Sequence, residues 1–295
     1  MLGNCQVKKR VLLIGGHGNL GRPVARRLAN GEFQVRAMVR NPDTARALLP
    51  DQVEIVTGDL RDVDSIRSAA EGVEIVYVNL STDKPKSKWR TELDGTQNVL
   101  SALENRPEVL ISKLSVFNCQ HTGWWEDMDQ KYDAEQMIRE SGHPWLIFRP
   151  TWFYESLPMF LQRGSLFIIG KHVHPTYWIG GDDYARIVST AFSTEKHDRI
   201  YNVQGSHAVN FEDAAQRFVN ALGEDTKIKH LPLLMLRLLG LFNPRTDQLR
   251  KLMTWTTSSR EEFISEDTFD ELGRAEMTVE DYVEYMKLNN DRPEV

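Results

Sequence analysis

Residues 11–21 read VLLIGGHGNLG, an apolar run that ends in glycine and opens onto a helical pattern. Val11–Gly15 is short and wholly apolar, as a strand buried on both faces is. Leu20, Val24 and Leu28 then recur every fourth residue and mark one face of a helix. Pro23 falls in its first turn, where a missing N–H costs nothing, and Gly31 is placed to end it. Between strand and helix, Gly15, Gly18 and Gly21 are spaced three apart. The first glycine permits a tight turn, the second lets backbone approach a pyrophosphate, and the third lets helix and strand pack closely. The helix N-terminus offers the phosphates N–H groups and a positive dipole end. The expected dinucleotide contacts in this loop are Gly15, His17, Gly18, Asn19, Leu20 and Gly21. The alternative is a tight turn without a ligand.

Outward from the loop, strand and helix patterns alternate. Strands are expected at 35–39, 53–56, 73–78, 109–114 and 145–149, and helices at 62–70, 89–103 and 129–141. Such alternation implies parallel strands with right-handed crossovers, hence an α/β fold with a Rossmann-type doubly wound sheet. Residues 1–150 are read as the NAD(P)-binding core. Residues 151–295 are read as a smaller, mostly helical substrate or lid region, with elements near 183–203 returning to the core. Helices are also expected at 211–222 and 279–286.

The residue ending the second strand faces the adenosine ribose. An acid there suits the 2′-hydroxyl of NAD, whereas an arginine accommodates the 2′-phosphate of NADP. Here the strand ends in Arg40, with Arg36 and Arg22 as further cations and no acid between Arg36 and Pro42. NADP(H) is therefore expected over NAD(H); the alternative for Arg40 is a solvated surface residue. Asp59 and Leu60 follow the third strand and suit the adenine, although Asp59 equally suits a helix cap. Asn79 ends the fourth strand at the carboxyl edge, where ligands of open α/β sheets bind.

Lys and Arg total 36 against 42 Asp and Glu, a net charge of −6, which argues against direct nucleic-acid binding. The most apolar stretch, residues 231–242 (LPLLMLRLLGLF), is too short for a transmembrane segment and contains Arg237. It is expected to complete the core, with a membrane or partner-protein contact as the alternative. Cys5 and Cys119 read as reduced thiols, and the opening residues lack a secretory pattern, so a cytoplasmic protein is expected.

The ordered set of stretches GGHGNLGRPVARRL, VRAMVRNP, GDLRDVDSI, ELDGTQNVLSAL, RPTWFYES and IGGDDYARIVSTAF resembles the NmrA-like branch of the atypical short-chain dehydrogenase/reductase superfamily. The resemblance covers nearly the whole chain. It implies a Rossmann core, a small C-terminal substrate region and NADP(H) binding. Catalytic members of the wider superfamily carry a Tyr-x-x-x-Lys pair. None of the eight tyrosines here has a lysine four residues on. The resemblance places the lysine at Lys131, for ribose contact, and Ser115 in the catalytic-serine region. The tyrosine position is Asp127. The local alternative for Lys131 is an i,i+4 pair with Glu135.

The resemblance also sets the substrate pocket near Trp124 and Trp125, and the aromatic stretch after Pro150 adds Trp152 and Phe153. No metal is expected: His172 and His174 have no clustered third ligand, and Pro175 follows. Two functions stand. One is an NADPH-dependent reductase of a small planar substrate, quinone-like, aromatic carbonyl or enone. The other is a non-catalytic NADP(H)-binding redox sensor, regulator or assembly partner of another protein.

Overall fold

The structure, a computed structural model, describes residues 8–80, 87–223 and 225–289. Cys5 lies outside them. The first half runs β1 (Lys9–Ile14), α1 (Gly21–Ala29), β2 (Phe33–Val39), α2 (Pro42–Arg46), β3 (Glu54–Thr57), α3 (Val63–Ala69), β4 (Ile75–Val78), α4 (Thr91–Leu103), β5 (Leu110–Leu114), α5 (Glu126–Arg139) and β6 (Trp145–Pro150). The second half follows with a 3₁₀ turn (Tyr154–Phe160), β7 (Leu161–Gln162), β8 (Ser165–Ile169), α6 (Gly181–Ser193), β9 (Arg199–Val203), α7 (Phe211–Leu222), β10 (Lys227–Leu231), α8 (Leu233–Gly240), α9 (Pro244–Ser258), α10 (Glu266–Leu272) and α11 (Val279–Leu288).

Seven parallel strands form the main sheet in the order β3-β2-β1-β4-β5-β6-β9. This is the expected doubly wound topology. Strand order reverses at β1, which lies between β2 and β4, and a ligand crevice opens at the carboxyl ends of strands at such a point. Both faces are covered. Val11 and Leu13 pack with Val24, Leu28 and Ile187, whereas Leu12 and Ile14 pack with Ile66, Val99 and Leu103. Alternate residues of one strand thus serve two cores, which is why β1 is apolar throughout. The expected cap at Asp62 forms, its carboxylate accepting from the Asp64 and Ser65 N–H groups.

Beyond Pro150, α6 packs into the first core and β9 joins the sheet edge beside β6. The remainder holds a three-stranded sheet in the order β10-β8-β7, which the sequence pattern did not predict. Its strands are short and its edge strand β10 is mostly exposed, so no long alternation announces it. Trp178, Phe211, Phe218 and Tyr282 fill a separate aromatic core there. The expectation that residues 231–242 complete the core is corrected: Leu231 ends β10, Pro232 caps α8, and Leu236 is the helix's buried residue.

Candidate functional site

The loop after β1 is built by its glycines. Gly15 has a φ of +83°, and a Cβ there would stand 1.8 Å from the Asn79 carbonyl oxygen. At Gly21 a Cβ would stand 2.2 Å from the Gly15 oxygen. Both positions therefore exclude side chains for reasons internal to the turn. Gly18 differs: a Cβ there would meet only the Gly15 oxygen, at 3.4 Å. Its missing side chain leaves room at the mouth of the loop, as close approach by a pyrophosphate requires. The Gly18 N–H donates to Gly15 O at 3.1 Å, and the Arg22 N–H donates to Gly18 O at 2.9 Å, so the loop passes directly into α1. That helix has no acid in its first turn, which leaves its positive end uncancelled by a local carboxylate.

The loop forms one wall of a groove of about 480 Å³ at the switch point. Gly15, His17, Gly18, Asn19, Leu20, Arg40, Asp59, Leu60 and Asn79 all line it. Nine residues from four separate stretches of chain are thus brought together as expected from their strand ends; Gly21 is packed beneath. Arg40 is exposed at the rim. Burial, with the Arg40 and Arg22 charges, holds the His17 imidazole below its ordinary value, so the ring is neutral at pH 7. Its Nδ1 is buried without a hydrogen-bond partner. A buried, unsatisfied nitrogen beside two guanidinium groups fits a site shaped for an anionic ligand.

Arg36 is not part of it. It donates to Glu54 Oε2 at 2.9 Å and to the carbonyls of Ala69 and Glu71. It lies four residues back along β2, about 13 Å from the carboxyl end where Arg40 stands. Asp59 makes a local turn, its Oδ1 accepting from the Arg61 N–H at 2.9 Å. Leu60 packs over Gly95, where a Cβ would come within 2.4 Å of its Cδ2.

A second cavity, about 250 Å³ and mostly apolar, adjoins the groove. The two share Asn19, Leu20 and Met159. Of the four residues expected at the substrate, Trp125, Trp152 and Phe153 line this chamber. Trp124 does not: it is 53% exposed and points to solvent. Trp125 is extended, with φ −151° and ψ 123°, so the two neighbouring indoles leave the chain on opposite sides. The chamber's far wall comes from α9 and the loop after it, including Trp255 and Glu261. Glu261 was not foreseen. Its carboxylate accepts from Thr151 Oγ1 at 2.9 Å, the Tyr177 N–H at 3.3 Å and Gln204 Nε2 at 2.7 Å. Burial nevertheless raises its pKa above the usual carboxylate value, because its three donors are neutral.

Lys131 and Ser115 stand back from the described lining of both cavities. Lys131 does not pair with Glu135. Its ammonium binds Glu92, which also binds the fully buried Lys113. Burial works against the Glu92 charge, but the two lysines outweigh it and hold the carboxyl below its ordinary range. Glu135 is taken instead by Arg149, with Nε to Oε1 at 3.0 Å, and by the Cys119 thiol at 3.1 Å. Ser115 Oγ donates to that thiol's sulfur at 3.7 Å. Asp127, at the tyrosine position, is 5% exposed. A lysine inside the apolar strand β5 was the available signal for the buried charge cluster, since lysine is almost never fully buried unless paired. Among the described residues no group of three side chains could hold a metal. His172 stacks on Phe211, with ring centroids 4.4 Å apart.

Residues 15–159 match the family described as NAD(P)H-binding. Photosystem II assembly factor Ycf39 of Cyanophora paradoxa is 24% identical over 247 residues, covering 77% of this chain and 73% of that protein. An NAD(P)H azoreductase of Xenophilus azovorans is 25% identical over 223 residues, covering 74% and 75%. The structure of the Escherichia coli NADPH-dependent quinone oxidoreductase complexed with NADPH matches with a TM-score of 0.73 and 21% identity, covering 94% of this chain and 99% of that one. With the glycine loop at the switch point of a seven-stranded parallel sheet, residues 15–159 form an NAD(P)H-binding domain on a fold shared with the NADPH-dependent quinone oxidoreductase.

Proposed function

We propose that this protein is an NADPH-dependent reductase of a small planar substrate, quinone-like, aromatic carbonyl or enone, within the NmrA-like branch and acting in the cytoplasm. The observation that carries the reading is the apolar chamber joined to the dinucleotide groove along Asn19, Leu20 and Met159. A planar ring held there by Trp125, Trp152 and Phe153 lies next to the groove, and stacking on indole and phenyl faces favours flat substrates. NADPH, when bound, supplies a hydride. The chain's own residues bind and orient: Gly18 and the start of α1 take the pyrophosphate, Arg40 the 2′-phosphate, and Asn79, Asp59 and Leu60 the nucleoside side. Glu261 is the chamber group that can hold a proton for the substrate oxygen. Lys131 is held in place by Glu92, and the resemblance assigns it the ribose contact.

The competing reading, a non-catalytic NADP(H)-binding regulator or assembly partner, draws on two observations. The tyrosine position is Asp127, and Ser115 is engaged with Cys119. The similarity to an assembly factor points the same way.

Fluorescence of the seven tryptophans, titrated with NADPH, NADP, NADH and NAD, tests the cofactor. The phosphorylated forms are expected to bind about 10–100-fold tighter, the worth of a charge-assisted phosphate contact. Arg40→Ala should erase that gap; an unchanged preference overturns the role of Arg40. Turnover of NADPH with a panel of quinones, azo dyes, aldehydes and enones tests the reaction. Lys131→Ala should lower it, and no turnover with any of them favours the regulator.

A further inference from the structure

Helix α8 is amphipathic in an unusual sense, because the face it turns away from the protein is apolar. Leu236 packs inward with Ile169 and Met253, and partly buried Leu233 joins them. Leu234, Met235, Leu238 and Leu239 face outward, and Leu241 and Phe242 continue the face into the turn before α9. At 100° per residue these six side chains cover an arc of about 160°. Exposure lies between 44% at Met235 and 63% at Leu234 along the helix and is highest in the turn, 75% at Leu241 and 90% at Phe242. The α8–α9 hairpin therefore ends in an exposed apolar tip, and Leu234 and Leu241 also line a cleft between the two helices. A soluble surface helix carries the opposite pattern.

The charge around this tip departs from that of the chain. Between Asp225 and Glu261 there are seven Lys or Arg and one acid, Asp247, in a protein whose net charge is −6. Asp247 is bound by Arg250 and Lys251. Arg237 and Arg245 are exposed beside the apolar face, and Lys227 and Lys229 are exposed on the adjoining edge strand β10. An exposed apolar tip flanked by cations complements a deformable apolar layer under anionic headgroups. The eight residues of α8 span about 12 Å, far less than a bilayer needs. No helix of the described residues is long and apolar enough to cross a membrane.

We propose that the tip of the α8–α9 hairpin docks this protein on the surface of an anionic lipid bilayer, with Leu238, Leu241 and Phe242 inserted and Arg237 and Arg245 at the headgroups. This goes beyond the reductase reading and does not depend on it.

The test is flotation of the full chain with vesicles of phosphatidylglycerol and phosphatidylcholine, and with vesicles of phosphatidylcholine alone. The chain is expected to float with the anionic vesicles, to bind the neutral ones at least about tenfold less, and to be released by high salt. Phe242→Glu should lower anionic-vesicle binding at least about tenfold while leaving NADPH affinity unchanged, because that side chain touches little of the protein. Arg237→Glu with Arg245→Glu should remove the preference for anionic lipid. Failure to float overturns the proposal, as does equal binding by Phe242→Glu. So does a concentration-dependent dimer, dissolved by Phe242→Glu, in place of vesicle binding; the covering surface would then be a second copy.

Discussion

The dinucleotide groove and the apolar chamber share a wall but are encoded differently. The groove is made of strand ends and a glycine turn. Gly15, Arg40 and Asn79 each sit directly after a strand, Asp59 two residues and Gly18 four residues beyond one, so locating the strands locates the residues. The chamber is made of side chains from distant segments. Thr151 meets Glu261 across 110 positions of sequence, and Gln204 meets it across 57. Conformational requirements of single residues write a phosphate site, whereas a substrate cavity exists only after the tertiary fold does. The same contrast separates what NAD(P)H-binding domains hold in common from what this chain adds to its own.

The largest expected effect would break the comparison by showing that the groove also rests on non-local contacts. Glu92→Gln leaves Lys113 and Lys131 without their carboxylate, one of them fully buried. Removing one partner of a buried pair costs about 3–5 kcal/mol, and chemical denaturation should show that loss at pH 7. The Glu92 pKa is lowered on folding, so its stabilising share is present above its ordinary value of 4.5 and is lost as pH falls toward the folded value. The variant should lack that acid-dependent component. A groove that is self-contained would instead keep both stability and NADPH affinity in Glu92→Gln.

A smaller effect sharpens the comparison from the chamber side. Glu261→Gln should leave the NADPH dissociation constant unchanged and lower kcat about 100-fold, the typical worth of a positioned acid. Because burial raises the Glu261 pKa, wild-type activity should fall as pH rises through that value, and the variant should lose this limb. Equal loss of cofactor affinity would show that the two cavities are not separate in chemistry.

The smallest concerns Gly18. Its open surroundings let Gly18→Ala fold with stability within about 0.5 kcal/mol of wild type, while NADPH affinity drops at least about tenfold. Thermal melts and fluorescence titration of the same sample separate the two quantities. A large fall in melting temperature with affinity intact would make Gly18 a structural glycine like Gly15.

These effects track what could be read from the chain. The main sheet was legible because each strand is an apolar run bounded by a turn residue, and Asp62 announced its own helix. The groove followed from strand ends. What escaped was set by contacts between segments. Lys113 stands out inside an apolar strand, but its partner Glu92 on α4 is identified only when the fold brings the two together. The local alternative to ribose contact for Lys131, a pair with Glu135 four residues on, fails because Arg149 holds that carboxylate and Glu92 takes the lysine. Trp124 and Trp125 are identical in type and adjacent in sequence, and only the extended backbone at Trp125 decides which enters the chamber. Residues 231–242 were apolar enough for a core, yet nothing in the sequence tells whether another element will cover them.

Asn19, Leu20 and Met159 border both cavities, so neither ligand can rearrange them without the other sensing it. Such sharing makes the two affinities thermodynamically reciprocal. Whatever factor NADPH contributes to retention of a chamber ligand, that ligand returns to NADPH. On the proposed function, a protein built this way measures the joint presence of reductant and acceptor.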